Sequence, residues 1–247
     1  MGVRLGLVVL ALALPVSSPA QPAANTATPV PGKGTISVTR LKVCGKARHA
    51  FEKAQVALNE HHDAEASKQV ETALALAPDY PDALTLRAFL DLNAGSTESA
   101  IRDLDHAVRS DAGFGLAYLV IASVFNRQGR FDDAIRSLDR ASLLEPNSWQ
   151  CAFEMSKSWL GKQEYSRALE QVNRAASLGG DRRMNASIHF VRGYALVGLK
   201  HLGEAASELE AYLSAEPNGS FAGTARATLT QIRTAASLVD MPMLSEK

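Results

Sequence analysis

From residue 45 onward, apolar side chains recur at helical spacing, and the whole pattern repeats every 34 residues. On a ruler starting at Ala47, Ala66, Ala100, Ala134 and Ala168 share one rung. Seven residues later, Ala73, Ala107, Ala141 and Ala175 share a second, with Val70, Leu104, Leu138 and Val172 between them. Ala54, Ala88, Ala122 and Ser156 mark a further small-residue rung earlier in each unit. Pro78 and Pro146 close two units, with Ala112 and Gly180 at the equivalent places. The spacing predicts first helices near 46–60, 80–94, 114–128, 148–162 and 184–199. Second helices are expected near 63–76, 97–110, 131–144, 165–178 and 202–215. Asp79 before Pro81, and Asn147 after Pro146, are expected to cap helix starts.

A fifth unit follows a three-residue slip around 183–185, with Gly193, Ala205, Leu209, Tyr212 and Pro217 on the corresponding rungs. Tyr212 stands where the other units have alanine, and predicts looser packing there. The last segment, 220–239, carries Phe221, Ala225, Leu229, Ile232 and Ala236 on one face and Arg226, Thr230, Gln231 and Arg233 on the other. It has no partner helix, as expected of a terminal capping helix. The ladders have a simple physical basis. Backbones of antiparallel helices approach closely only where side chains are small, and larger residues such as Phe125, Leu138 and Trp159 fill the space beside them. One such pair cannot bury its own apolar face, so neighbouring pairs must stack.

The 34-residue unit, with small residues at its eighth, twentieth and twenty-seventh positions and a closing proline, resembles the tetratricopeptide-repeat (TPR) family. Gly129-Arg130-Phe131-Asp132-Asp133-Ala134 is similar to the turn joining the two helices of such a unit. The likeness covers about 47–218. Departures are local: Ala50, Leu84, Tyr118, Ala152 and His189 stand where the family often has Trp. Lys53, Arg87 and Arg192 replace an apolar seventh residue, and Asp91 replaces an aromatic eleventh. The resemblance implies an all-α, right-handed superhelical solenoid of about five helix pairs and a capping helix. It also implies a concave groove lined by first helices, where a protein or peptide segment binds. Its positions carry Arg48, Phe51, Gln55 and Asn59, then Thr85, Phe89 and Asn93, then Leu119, Ser123, Asn126 and Arg127. Gln150, Phe153, Lys157, Phe190 and Tyr194 follow. The site expected to touch a partner is Phe51, Gln55, Asn59, Phe89, Asn93, Asn126, Arg127, Phe153, Lys157 and Tyr194. For Phe51, Phe153 and Phe190 the alternative is packing between adjacent helices. One subfamily grips a partner's terminal carboxylate through Lys, Asn and Arg. Phe51, Gln55, Leu86, Leu116 and Val120 stand at those positions here, so that grip is not expected.

Composition agrees with a helical repeat: 46% of residues are hydrophobic and only 6% aromatic. Ala and Leu dominate the apolar share and favour helix. The N-terminus reads differently. Arg4 precedes an apolar run from Leu5 to Leu14, then Pro15 and small residues up to Ala20, the order of a secretory signal peptide. Ten apolar residues are too few for a span of about 20. Cleavage is expected after Ala20 or Ala23, with an uncleaved anchor as the alternative. The expected organisation is therefore a signal peptide at 1–20, a flexible Pro- and Ala-rich leader at 21–42, the repeats at 43–239 and a tail at 240–247. That predicts an exported protein, periplasmic or secreted, touching a membrane only if the segment stays uncleaved. Removing Arg4 changes a formal charge of zero to about −1. No run of Lys or Arg concentrates positive potential, so no nucleic-acid partner is expected.

Candidate chemistry is sparse. His61, His62 and Asp63 form the one compact polar constellation, in a short turn where the imidazoles diverge, without a second ligand pair at metal spacing. Pro31-Gly32-Lys33-Gly34-Thr35 lacks the spacing of a phosphate loop, and no Gly-x-Ser-x-Gly or HExxH motif occurs. The expectation is no enzyme, no cofactor, no metal and no small-molecule substrate. Cys44 and Cys151 lie three repeats apart, too far for a bridge; Cys151 is expected to be buried and Cys44 exposed. Asn185-Ala186-Ser187 and Asn218-Gly219-Ser220 fit glycosylation triplets. The first reading is a binding scaffold working outside the cytoplasm. The alternative is a structural subunit docked permanently in a cell-envelope assembly.

Overall fold

The structure is a computed structural model that describes residues 42–179 and 185–239. The expected signal peptide, leader and tail, and the slip that precedes the fifth unit, lie wholly or largely outside them. Eleven helices and no strand occur among the described residues. They are α1 Gly45–Asn59, α2 Asp63–Leu76, α3 Pro81–Asn93, α4 Thr97–Ser110, α5 Gly115–Arg127 and α6 Phe131–Leu144. α7 Trp149–Gly161, α8 Tyr165–Gly179, α9 Asn185–Gly198, α10 Leu202–Ala215 and α11 Ala222–Val239 follow. Ten match the expected first and second helices to within a residue or so, and α11 matches the capping helix.

Two compact units make up the chain. The N-terminal unit runs to Gln128 and includes Asp133–Pro146; the C-terminal unit takes Gly129–Asp132 and everything from Asn147. In the N-terminal unit α1 pairs with α2 and α3 with α4, while α2 packs on α3 and α4 on α5. In the C-terminal unit α7 pairs with α8 and α9 with α10, α8 packs on α9, and α11 lies against α10. The ladder residues explain the pairing. Ala54, Ala66, Ala73, Ala88, Ala100, Ala107 and Ala122 all have 0% of their surface exposed, as do Val70 and Leu104. In the other unit Ala168, Val172, Ala175, Ala205 and Leu209 are equally closed off.

One turn geometry recurs between the two helices of every pair. His61, Gly95, Gly129, Gln163 and Lys200 occupy the same rung, and all have positive φ, between 59° and 82°. The next amide then reaches back to the preceding helix: His62 N to Ala57 O at 2.8 Å, Ser96 N to Asp91 O at 2.8 Å, Glu164 N to Trp159 O at 2.9 Å and His201 N to Leu196 O at 3.0 Å. This left-handed ending satisfies carbonyls that the helix leaves open and sets the direction of the second helix.

Three expectations are corrected. Asp79 does not cap α3; Tyr80 holds that place without a side-chain bond, and Asp79 Oδ1 lies 2.8 Å from His106 Nε2. Pro81 is the first helical residue, so the cap falls one residue after Asp79. Likewise Ser148, not Asn147, caps α7, its Oγ accepting from Cys151 N at 3.3 Å. Nor is packing loose at Tyr212, which is 1% exposed. Its hydroxyl accepts from Phe221 N at 3.0 Å, and its ring lies 5.2 Å from that of Phe190, which also stacks on Phe221 at 4.4 Å. The large ring is accommodated because α11 brings Phe221 to it, completing an aromatic cluster in place of an alanine contact.

Candidate functional site

In the N-terminal unit the first-helix face begins with Phe51 on α1. It is partly buried and meets Tyr80 edge to face at 5.2 Å. Gln55 and Asn59 follow at four-residue steps along the same stripe, both partly exposed. On α3, which touches α5, Phe89 is partly exposed and Asn93 fully so, whereas Thr85 is 4% exposed and belongs to the interior. On α5, Ser123 Oγ donates to Val120 O at 2.8 Å, Asn126 is buried at 4% exposure, and Arg127 is partly open.

Behind that face, Arg87 ties three helices. Its Nε and Nη2 donate to Asp103 Oδ2 and Oδ1 at 2.6 and 2.8 Å, and its Nη1 to Glu71 Oε1 at 3.1 Å. The hydrogen bonds it donates to Asp103 are the main reason that the guanidinium pKa lies well above its ordinary value. α3 is thus held to its own partner α4 and to α2 of the preceding pair. The sequence marked Arg87 only as a departure from an apolar position. The same device recurs in the C-terminal unit, where Arg192 donates to Asn173 Oδ1 at 2.8 Å and Glu208 Oε1 at 3.2 Å, and His189 Nδ1 meets Glu208 Oε2 at 2.5 Å. In both cases the acid lies 16 residues after the arginine. That spacing was the available signal.

The expected contact residues of the C-terminal unit are mostly engaged in packing. Phe153 is 4% exposed, and Lys157 is 7% exposed with Nζ donating to Glu154 Oε1 at 2.7 Å. Phe190 is fully buried in the aromatic cluster. Tyr194 is partly exposed, its hydroxyl 2.9 Å from Thr228 Oγ1, and burial raises its pKa above the ordinary phenol value. Gly198 ends α9 where a Cβ would meet the Tyr165 ring at 2.3 Å, so the thirteenth position offers no side chain there.

The His61-His62-Asp63 turn gathers no further chemistry among the described residues. His61 sits in its turn with φ of 59°, and His62 Nδ1 lies 3.5 Å from Glu60. Among the described residues no three His, Cys, Asp or Glu side chains converge to hold a metal ion, and no helix is long and apolar enough to cross a membrane. Neither cysteine is in a disulfide; Cys44 is exposed and Cys151 buried.

Comparison with known proteins bears on the fold. A model of the tetratricopeptide-repeat family matches residues 90–148 and 154–220, just over half of the chain. No curated protein matches the sequence. Among solved structures, a chain of the APC/C hetero-tetramer Cut9–Hcn1 is 18% identical over 77% of this chain, with a TM-score of 0.69. The match spans only 37% of that chain's length. Pseudomonas aeruginosa pilF is 14% identical, covering 79% of this chain and 92% of its own, with a TM-score of 0.62. YrrB, a TPR protein described as having an unusual peptide-binding site, is 16% identical, covering 73% of this chain and 92% of its own, with a TM-score of 0.54. At such identities these likenesses show the fold alone. A family match over more than half the sequence, on helices whose ladder alanines are fully buried, means that the chain belongs to the tetratricopeptide-repeat family, a family of scaffolds for protein–protein binding.

Proposed function

We propose that this chain is a non-enzymatic scaffold that holds a protein or peptide segment on the first-helix face of its N-terminal unit, outside the cytoplasm. Phe89 carries the reading. Ladder side chains on α3 and its neighbours are entirely consumed by packing, yet this phenylalanine stays partly open beside exposed Asn93. Phe51, Gln55, Asn59 and Arg127 extend the same kind of surface along α1 and α5. Half-open aromatics give affinity, while amides and a guanidinium can pair with a partner's backbone. The peptide-binding site named for YrrB supports a peptide as the class of partner. Phe153, Lys157 and Tyr194 contribute by ordering the C-terminal unit. The apolar run at 5–14, with its preceding Arg4, supports export.

Permanent docking in an envelope assembly would need a continuous apolar patch on the second helices. Leu76, Ile101 and Leu143 are exposed there, at 46%, 38% and 75%, but they stand on different rungs of the repeat and form no stripe. Selection of peptides from a random display library tests the scaffold reading. Peptides selected on the parent should lose about 30-fold in affinity for a Phe89→Ala, Asn93→Ala double variant, in line with removal of an aromatic hot spot. An Ile101→Ser, Leu143→Ser variant should bind them unchanged. The reverse ranking, with both variants folded, would overturn the proposal.

A further inference from the structure

The chain begins with a basic segment, and α1 stands at its end. Residues 1–51 contain six of the 26 basic side chains and none of the 26 acidic ones, leaving 20 basic against 26 acidic in the remainder. A chain of nearly zero net charge is therefore strongly divided. α1 makes a surface of that division. Its buried stripe is Ala47, Ala50, Ala54 and Ala57, and about 100° round the helix runs a second stripe of Lys46, His49, Lys53 and Val56, all exposed, with exposed Glu52 between that stripe and Arg48. Lys42 precedes it and Arg48 flanks it, also exposed. Among the described residues, only His49 of these has a carboxylate partner, Glu52 at 3.7 Å. Several cations elsewhere are paired with acids: Arg87 with Asp103, Arg109 with Asp105, Arg192 with Glu208 and Arg233 with Glu210.

The arrangement is also locally unfavourable. α1 has no acid in its first turn, a lack it shares with α5, α7, α8, α9 and α11, whereas α2, α3, α4 and α10 have Asp63, Asp82, Glu98 and Glu204. Lys46 and Arg48 stand there instead, against the positive end of the helix dipole. Helix stability does not account for Lys46 and Arg48 in such a place.

We propose that the outer face of α1 binds an anionic lipid surface, through Lys42, Lys46, Arg48 and Lys53 acting on phosphate headgroups. A flat charged plane suits the face better than a nucleic acid. The stripe from Lys46 to Lys53 is only about 10 Å long at the rise of an α-helix, and no aromatic side chain stands on it to stack with a base. The division of charge suits a surface too, because the acidic remainder is repelled while the basic end is drawn in, which orients the molecule. Each cation near an anionic bilayer contributes roughly fivefold in partition, ~1 kcal/mol, so the four together contribute several-hundredfold at low salt.

The test is co-sedimentation of the full chain with vesicles of phosphatidylcholine alone and of phosphatidylcholine with phosphatidylglycerol. Its readout is the ratio of the two partition coefficients, which cancels any contribution of the apolar N-terminal run common to every sample. The parent should favour the anionic vesicles strongly at 50 mM salt and lose most of that preference at 500 mM, as screening requires. A Lys42→Gln, Lys46→Gln, Arg48→Gln, Lys53→Gln variant should lose at least 100-fold of the ratio. A charge-matched control, Arg102→Gln, Arg140→Gln, Arg174→Gln, Lys200→Gln, should stay within a few-fold of the parent. Equal ratios for parent and α1 variant, with both folded by circular dichroism, would overturn the proposal. So would equal losses in both variants, because net charge and not α1 would then govern binding. Loss of self-association in the α1 variant, with the lipid ratio unchanged, would assign the face to the acidic surface of a second copy.

Discussion

At the scale of single residues, the five inter-helix turns pose one conformational problem and meet it with different side chains. Gly95 and Gly129 adopt the left-handed conformation freely, with open space where a Cβ would stand. His61, Gln163 and Lys200 adopt it at a cost, about 1–2 kcal/mol for an L-residue. Glycine there would relieve that cost but add about 0.4–1 kcal/mol of unfolded-chain entropy. Gln163→Gly and Lys200→Gly should therefore each stabilise by roughly 0.5–1 kcal/mol. Gly129→Ala should destabilise by a similar amount. Thermal unfolding of the three variants decides it, and a lower Tm for Gln163→Gly would refute the argument. Tyr212 supplies a second residue-level test. Burial pushes its phenol pKa above the ordinary value, the charge of Glu216 adds to the rise, and the Phe221 amide opposes it. A raised folded pKa means that the neutral ring's contribution is intact below the unfolded value, about 10, and is lost as pH climbs through the folded value. Melting between pH 9 and 11 should fall more steeply for the parent than for Tyr212→Phe; parallel curves would show that this ring does not govern the alkaline limb. The ladder alanines were legible from sequence because only small residues permit such close approach. Tyr212 was not legible in the same way: whether a ring jams or seats depends on Phe190 and Phe221 opposite it, which periodicity does not encode.

At the scale of helices, α3 shows how a departure from the repeat pattern became a joint. Arg87 replaces an apolar residue and instead spans α2 and α4, with Asp103 only 8% exposed. Truncation to alanine strands that buried carboxylate, so Arg87→Ala should cost about 2 kcal/mol, the range for a hydrogen bond to a charged group. Arg87→Met combined with Asp103→Leu removes both charges and should recover most of it. Urea unfolding of the single and double variants measures the coupling. A double variant as unstable as Arg87→Ala would mean that side-chain volume, not the stranded charge, sets the cost. The helices themselves were readable to within a residue or so because periodicity, proline and turn residues agree along the chain. Their faces were only partly readable. Phe153 and Lys157 have the helical register of Phe51 and Gln55, yet they are buried while the α1 pair is partly exposed. A register names a stripe, and what packs opposite it is a long-range fact.

At the scale of the whole chain, the strongest unspent signal lies before the repeats. Arg4, the apolar run to Leu14 and the small residues to Ala20 would serve no purpose in a helical stack, since they precede the first buried ladder residue, Ala47, by more than two dozen positions. The cleaved export signal we propose would account for their order, and it would put the glycosylation triplet at Asn218, an exposed turn residue, in a compartment where such a site is used in organisms that glycosylate exported proteins. Expression of the full chain in a bacterial host, followed by fractionation and N-terminal sequencing, tests this directly. The expected product is periplasmic or external and begins at Gln21 or Ala24. Protein beginning at Met1 in the membrane fraction would replace the signal with an anchor. Protein remaining in the cytoplasm would remove export from the proposed function, while the first-helix face around Phe89 would stand or fall on its peptides alone.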